Sequence, residues 1–200
     1  MSNLILDKLP GKLIIRGAEY RIDTDFRTSI LFELMMDDEE LSDTEKAEEM
    51  FNLYFRFEKP EFCDETISQI LWFYRGGKEE RKGTGGGPAL DHVYSFEHDD
   101  AYIYAAFMEQ YGIDLTTIKY MHWWKFKALL VSLNDDVLFS KIMGYRAVKI
   151  DKVPKERRKF YQEMKRIYAL PKSKTMQEKI DAIQEALMKG EDISGLLGNT

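Results

Sequence analysis

Apolar residues recur at helical spacing along most of this chain, and they predict a mainly α fold. Phe26, Ile30 and Leu34 stand four residues apart, so they would share one face of a helix. We therefore predict a helical domain with a small N-terminal β-hairpin and a C-terminal helical extension. The same reasoning assigns helices to residues 26–36, 42–58, 64–74, 99–111, 117–133, 136–146, 155–168 and 175–189.

The hairpin is predicted from two short apolar runs, residues 12–16 and 19–22, which flank Gly17 and Ala18. A two-residue loop that begins with glycine is typical of a type II′ turn. A hairpin of this size is not stable alone, so we expect it to pack on the helices.

Several residues have the pattern of helix caps. Thr24 or Asp25 can cap the first helix, and Ser42 with Glu45 has the spacing of a capping box. Gly112 can end the fourth helix in the left-handed conformation that glycine favours.

Changes in composition divide the chain into four predicted parts. Residues 1–75 combine the hairpin with helices, residues 91–150 form an aromatic-rich helical unit, and residues 151–200 form a basic helical extension and tail. Residues 76–90 form a flexible Gly-rich linker or loop. No apolar side chain occurs from residue 76 to residue 88, so this part is expected to be disordered or weakly ordered.

The composition is that of an ordinary soluble protein. The 200 residues are 44% hydrophobic and 32% charged, with a net charge of −6. The single cysteine, Cys63, excludes an internal disulfide bond. No apolar run has the length of about 18 residues that a membrane span needs. We expect a soluble, cytoplasmic protein without a membrane segment.

Residue types that could carry chemistry lack the spacing that chemistry requires. His98, Asp99 and Asp100 are consecutive, so on a helix they point in different directions and predict a helix cap rather than a metal site. Cys63 has no histidine near it in sequence. Glu79 stands where a phosphate-binding loop requires Ser or Thr. We therefore expect no catalytic residue, no metal and no cofactor, and hence a protein that is not an enzyme.

The predicted helix 117–133 is apolar on more than one side. A helix of this kind is either central in a domain or held between the domain and a partner, and both interpretations stay open. One broad arc contains Tyr120, Trp123, Trp124, Leu130 and Val131, and we predict that Trp124 faces inward. A separate ridge, formed by Phe126, Leu129 and Leu133, is the candidate contact with a partner or with another copy. The partner-binding residues are predicted to be Phe126, Leu129, Leu133, Trp123 and Lys125.

Charge is unevenly placed along the chain. Residues 37–49 contain eight acids and one base, whereas residues 149–174 contain ten bases and three acids. Solvated helix faces, complementary patches within or between subunits, and a basic arm for nucleic acid all fit this pattern. The last interpretation is the alternative function, a nucleic-acid-binding helical regulator. It would use Lys155, Arg158, Lys159, Lys165 and Arg166, and the overall acidity disfavours it.

The block from Tyr94 to Arg146 resembles a family of proteins from long-tailed phages and prophages of Gram-positive bacteria. The likeness also includes residues 9–27, so it covers most of residues 4–150. The motifs in the block are Phe96-Glu97-x-Asp99, Ile103-Tyr104-x-Ala106-Phe107, Tyr111 to Leu115, Trp123-Trp124-x-Phe126, and the Ile142 to Arg146 ending.

This resemblance implies a role in viral tail assembly. Members of the family are similar to tail assembly chaperones, which bind the tape-measure protein and the tail tube protein through many copies. We therefore expect the tape-measure protein, the tail tube protein and further copies of the chain itself as partners. The composition and charge predict no binding to nucleic acid or membrane. The expected location is the host cytoplasm, and the finished virion is not expected to contain the protein.

Overall fold

The structure is a computed structural model that describes residues 4–78, 93–171, 181–183 and 185. Most of the predicted linker 76–90 and of the predicted helix 175–189 lies outside these residues. Within them, the mainly α fold with an N-terminal hairpin is confirmed. The elements are strands β1 (Lys12–Ile15) and β2 (Ala18–Arg21), helices α1 (Phe26–Asp37), α2 (Asp43–Tyr54), α3 (Asp64–Tyr74), α4 (Asp100–Tyr111), α5 (Trp123–Val131) and α6 (Leu138–Ala147), a 3₁₀ turn (Ile150–Lys152), and helix α7 (Lys155–Ile167).

The chain groups into two compact units, and their boundaries differ from the predicted parts. Among the described residues, unit 1 contains residues 4–78, 120–128, 181–183 and 185, and unit 2 contains residues 93–119 and 129–171. The segment 120–128, which was predicted to belong to the part 91–150, thus belongs with the hairpin and helices α1 to α3. Helix α5 begins in unit 1 and ends in unit 2.

The hairpin is present, but its turn differs from the predicted type. Ile15 pairs with Ala18, so the loop consists of Arg16 and Gly17. Both residues have positive φ, 50° and 78°. Positive φ at both central positions is the signature of a type I′ turn, so the predicted II′ turn was wrong, with its loop shifted by one residue.

Helices α1 and α2 both begin at the positions that their capping residues predicted. The Asp25 side chain accepts a hydrogen bond from the Arg27 N–H at 3.0 Å, and both hydrogen bonds of the Ser42–Glu45 capping box form. Helix α2 ends at Tyr54 rather than at residue 58. The caps therefore place helix starts more accurately than apolar periodicity places helix ends.

Helix α1 buries only Phe26 of the three residues whose apolar spacing predicted a common face. Ile30 and Leu34 are only half-buried, whereas Phe32 and Ser29 are fully buried. The Ser29 hydroxyl lies 3.0 Å from the Tyr54 hydroxyl, so a polar residue occupies the interior with its hydrogen bond satisfied. A periodicity that counts only apolar residues cannot anticipate this pair.

The side chains of Trp123 and Trp124 cap the C-terminal end of α3 within unit 1. The Trp123 indole N–H donates to the Tyr74 carbonyl at 2.7 Å, and the Trp124 indole N–H donates to the Phe73 carbonyl, also at 2.7 Å. The last carbonyls of an α-helix have no partner within the helix, and these two donors supply one. Gly77 allows the approach, because a Cβ atom there would lie 2.5 Å from Trp124 Cη2.

The aromatic rings around this helix end form a column. Tyr74, Trp123, Phe126 and Phe26 follow one another with centroid distances of 5.5, 5.8 and 4.8 Å and interplanar angles of 14°, 19° and 16°. The Lys127 ammonium lies 5.1 Å from the Tyr74 ring centroid and donates to the Tyr74 carbonyl. The column links α1, α3 and α5, which are distant in sequence.

Helix α5 is shorter than predicted because the residues before it pair with another segment. The Phe26 N–H donates to the Met121 carbonyl and the Trp123 N–H donates to the Thr24 carbonyl, each at 2.9 Å. This antiparallel bridge holds residues 121 and 122 extended, so the helix predicted over 117–133 begins only at Trp123. Trp124 is buried as predicted, but Tyr120 on the same predicted arc is exposed.

Unit 2 is organised around one buried arginine. The Arg146 guanidinium forms two hydrogen bonds with the Asp99 carboxylate, at 2.6 and 2.8 Å, and both side chains are buried. It also donates to the carbonyls of Val93 and Tyr168, at 2.9 and 2.6 Å. A planar group with a fork of donors thus joins the segment before α4, helix α6 and the end of α7. Asp99 was predicted as part of a helix cap, and its role as a buried ion-pair partner was not predicted.

We expect Trp124→Ala to lower the free energy of unfolding by about 3–5 kcal/mol, as the truncation of buried aromatic residues does. The Trp124 side chain is 5% exposed and packs on Phe73 as well as donating to its carbonyl. Urea unfolding followed by circular dichroism measures the loss. Trp124→Phe keeps an aromatic ring without the N–H and should lose less. A loss below about 1 kcal/mol for Trp124→Ala would contradict the buried position.

Arg146→Ala should also cost about 3–5 kcal/mol, because it leaves the Asp99 carboxylate buried without its partner charge. Arg157→Ala is the matched control: the Arg157 guanidinium reaches only the Tyr161 side chain on the exposed side of α7. The control should stay within about 0.5 kcal/mol of the wild type. Equal losses in the two variants would show that the Asp99 pair does not organise unit 2.

Candidate partner-binding surface

Three of the five residues predicted to bind a partner are core residues. Phe126, Trp123 and Leu133 are 0%, 1% and 8% exposed. Phe126 and Trp123 belong to the ring column of unit 1, so the predicted surface ridge does not exist as a surface. Leu129 is half-buried and Lys125 is exposed. Partner binding by the segment stays a prediction, and only these last two residues are accessible for it.

Helix α4 carries an apolar face that the sequence reasoning did not single out. Its inner side buries Ile103, Ala106 and Phe107. The opposite side exposes residues spaced as i, i+3, i+4 and i+7, which is the spacing of one helix face. We call these four the α4 outer face: Ala101, Tyr104, Ala105 and Met108.

The sequence of α4 indicates that the helix is apolar on more than one side. Residues 101–108 are all apolar or aromatic, which is the same argument that drew attention to residues 117–133. The Trp pair made the later segment the more conspicuous of the two. In the structure Trp123, Trp124 and Phe126 of the later segment are buried, whereas α4 is apolar on both its buried and its exposed side.

Acidic side chains border the α4 outer face. Asp100 and Glu109 are exposed at its two ends, and α4 contains no basic residue. Neither carboxylate forms an ion pair with any residue in the described part of the chain. An apolar centre with a charged rim is the usual composition of a protein–protein contact.

Helix α7 is the most exposed helix of unit 2. None of its residues is buried, and Phe160 and Ile167 are 47% and 53% exposed. We call these two residues, which stand seven apart on one side, the α7 apolar pair. Each follows a basic residue, Lys159 or Arg166, in sequence.

Two of the five cations proposed for nucleic-acid binding have other roles. The Arg158 guanidinium donates to the carbonyls of Val153 and Asp151, at 2.8 and 3.0 Å. The Lys165 ammonium donates to the Val148 carbonyl at 3.0 Å. These bonds join α7 to the segment that precedes it, which gives both residues a structural role.

The residues considered for chemistry have structural partners. No group of three or more His, Cys, Asp or Glu side chains in the described ranges could hold a metal ion. The Cys63 sulfur lies 3.4 Å from the Thr66 hydroxyl. Burial raises the pKa of Cys63, but hydrogen bonds with Thr66 and the Glu65 backbone, together with the charge of Arg16, outweigh it and leave the pKa below its usual value.

His122 acts as the N-cap of α5. Its Nδ1 accepts a hydrogen bond from the Trp124 N–H at 3.1 Å, so Nε2 carries the proton and donates to the Pro10 carbonyl, also at 3.1 Å. Both bonds need the neutral ring, because protonated Nδ1 cannot accept. Burial lowers the pKa of His122, against a smaller opposing effect of the bond to Pro10.

Among the described residues, no helix combines the length and the apolar character that a membrane crossing requires.

The model of one protein family, described as bacteriophage Gp15 protein, matches residues 5–170 of the chain. The matched segment includes both units' helices α1 to α7. No curated protein and no solved structure matches the chain.

The neutral His122 cap makes the stability of the fold depend on pH. The pKa of His122 is lower in the folded chain than in the unfolded chain, so the unfolded chain binds more protons below about pH 6.5. The contribution is complete above that pH and is lost as the pH falls below it. Urea unfolding across this range measures the change.

The comparison uses His122→Asn, which keeps a capping side chain that does not titrate there. The wild type should lose more stability than this variant on acidification. His98→Asn is the control, because His98 is an exposed residue outside the cap. An identical pH dependence in the wild type and His122→Asn would show that the cap does not depend on the charge of the ring.

Proposed function

We propose that this chain, which belongs to the bacteriophage Gp15 protein family, is a tail assembly chaperone without catalytic activity. Its client would be the tape-measure protein, with the tail tube protein as a second partner. It would act in the host cytoplasm and be absent from the finished virion. Family membership supports the phage context, and the α4 outer face supports a binding role.

The single observation that carries the proposal is the exposed apolar side of α4. A long helical client must have its apolar stripe covered until the tail forms, and a helix lying along that stripe covers it. Ala101 and Ala105 are small, so a client helix can approach the α4 backbone closely, while Tyr104 and Met108 supply contact area. Methionine adapts to irregular apolar partners, which suits a client of varied sequence.

The size of the surface favours a client bound by many copies. A helix of 12 residues is about 18 Å long, so one α4 outer face covers only a short stretch of a long protein. Single contacts of that size are weak, and repetition along one client strengthens the whole through effective concentration.

The alternative regulator that binds nucleic acid has less support. Arg158 and Lys165 donate hydrogen bonds to backbone carbonyls of their own unit, which leaves Lys155, Lys159 and Arg166 as the cations of the proposed set without such a bond to a described residue. The chain as a whole has a net charge of −6. Electrostatic attraction to phosphates would thus depend on one helix against the field of the rest.

The test is co-expression with the tape-measure protein and, separately, with the tube protein, followed by affinity purification. Ala105→Glu places a charge in the middle of the α4 outer face, and Glu is almost as good a helix former as Ala. It should reduce client recovery strongly and leave the melting temperature nearly unchanged. Leu138→Glu, an exposed apolar position on α6, is the matched control and should retain the client.

Two outcomes contradict the proposal in different ways. If neither tail protein co-purifies with the wild type, the chaperone role is wrong. If the client binds Ala105→Glu as well as it binds the wild type, the role stands but α4 is not the contact, and Leu129 and Lys125 become the residues to replace.

A further inference from the structure

We propose that, when no client is present, helix α7 of one copy docks on the α4 outer face of a second copy. The client and the second copy would then compete for the α4 outer face. The inference rests on the proposed function because that function assigns the client to this face. Its geometric and electrostatic basis lies in unit 2 alone.

The α4 outer face has the form of a hole for one side chain. In helix pairs, a knob from one helix enters a hole formed by four residues of the other. Ala101, Tyr104, Ala105 and Met108 are such a set, at i, i+3, i+4 and i+7, and all four are exposed. The two alanines leave depth in the middle, so the hole accepts a large side chain.

Helix α7 offers two knobs of suitable size and spacing. Phe160 and Ile167 are each about half exposed, and they stand seven residues apart, or two turns of helix. Seven residues also separate Ala101 from Met108. The α7 apolar pair and the α4 outer face therefore span the same length of helix, about 10.5 Å. The helices are of similar length, 12 and 13 residues.

The charges of the two helices are complementary. Helix α4 contains two acids and no base, whereas α7 contains six bases and two acids. Lys159 and Arg166 are exposed beside the apolar pair, and neither forms an ion pair with a described residue. Glu156 and Glu163 lie on the same helix but leave it with an excess of four positive charges. Opposite charge steers two such surfaces together and disfavours a contact of α4 with α4.

The contact joins unlike surfaces, which determines the kind of assembly. Every copy has one α7 apolar pair and one α4 outer face, so each can bind two neighbours head to tail. Contacts of this type produce a ring when the rotation closes and an open chain when it does not. A client helix that occupies α4 removes one of the two surfaces and releases the neighbour.

Two variants that each lack one surface provide the test. Ala105→Glu removes the hole, and Ile167→Glu removes a knob at a position that is 53% exposed. Light scattering coupled to gel filtration should show the wild type heavier than one chain, with a mass that rises with concentration. Each variant alone should stay monomeric, with the melting temperature of the wild type.

Mixing the two variants gives the decisive measurement. An equimolar mixture should form a heterodimer of twice the mass of one chain, because α7 of Ala105→Glu is intact and so is α4 of Ile167→Glu. Neither partner has a second usable surface, so the assembly should stop at two chains. Lys159→Glu with Arg166→Glu, both exposed, should weaken the wild-type association about tenfold without affecting folding. Leu138→Glu should leave it unchanged.

Three results would overturn the proposal. The wild type could be a monomer at every concentration, the mixture could remain monomeric, or Ile167→Glu could associate alone, which would indicate an α4–α4 contact. Client recovery is measured separately. A monomeric wild type that still binds its client through α4 retains the proposed function, and an assembly that binds no client retains only the contact between copies.

Discussion

The carbonyl groups in the last turn of an α-helix need hydrogen-bond partners from outside the helix. In unit 1 the packing depends on how the last carbonyl groups of α3 obtain them. The indole N–H groups of Trp123 and Trp124 donate to the carbonyls of Tyr74 and Phe73. To bring both donors there, α5 must start at Trp123, and the preceding residues must be extended. The bridge to the segment before α1 and the neutral His122 cap produce that geometry. The adjacent tryptophans thus act as a pair of hydrogen-bond donors, and the Trp123 ring is also part of the column.

In unit 2 the corresponding constraint is the burial of the charged Arg146 side chain. Arg146 is costly to desolvate unless its donors are satisfied, and Asp99 with two carbonyls satisfies four of them. Asp99 belongs to the first motif of the block from Tyr94 to Arg146 and Arg146 to the last, so the ion pair connects the first and last motifs. The ion pair and the bond to the Tyr168 carbonyl hold α6 and the end of α7 together. Helix α4 is apolar on its exposed side as well as on its buried side.

The sequence patterns correctly predicted the features that depend on residues close together in the chain. Asp25, the Ser42–Glu45 box and Gly112 cap helices as expected, and the span of α3 was predicted to the residue. The failures concern pairs distant in sequence. Ser29 is buried because Tyr54 meets it, and Phe126 is buried because Phe26 stacks on it at 4.8 Å. The candidate surface moved to α4 for the same reason: a single apolar helix pattern does not say which of two apolar sides another part of the chain will cover.

The division of unit 1 between two stretches of sequence has a consequence for synthesis on the ribosome. The Tyr74 carbonyl and its Trp123 donor are 49 residues apart, and most of the intervening chain belongs to unit 2. At about 5–20 residues per second, several seconds pass between the emergence of α3 and the arrival of its partner. During that time Phe26, Phe73 and Tyr74 lack the rings that cover them in the finished fold. Unit 1 can therefore be completed only after helix α4 has already been synthesised.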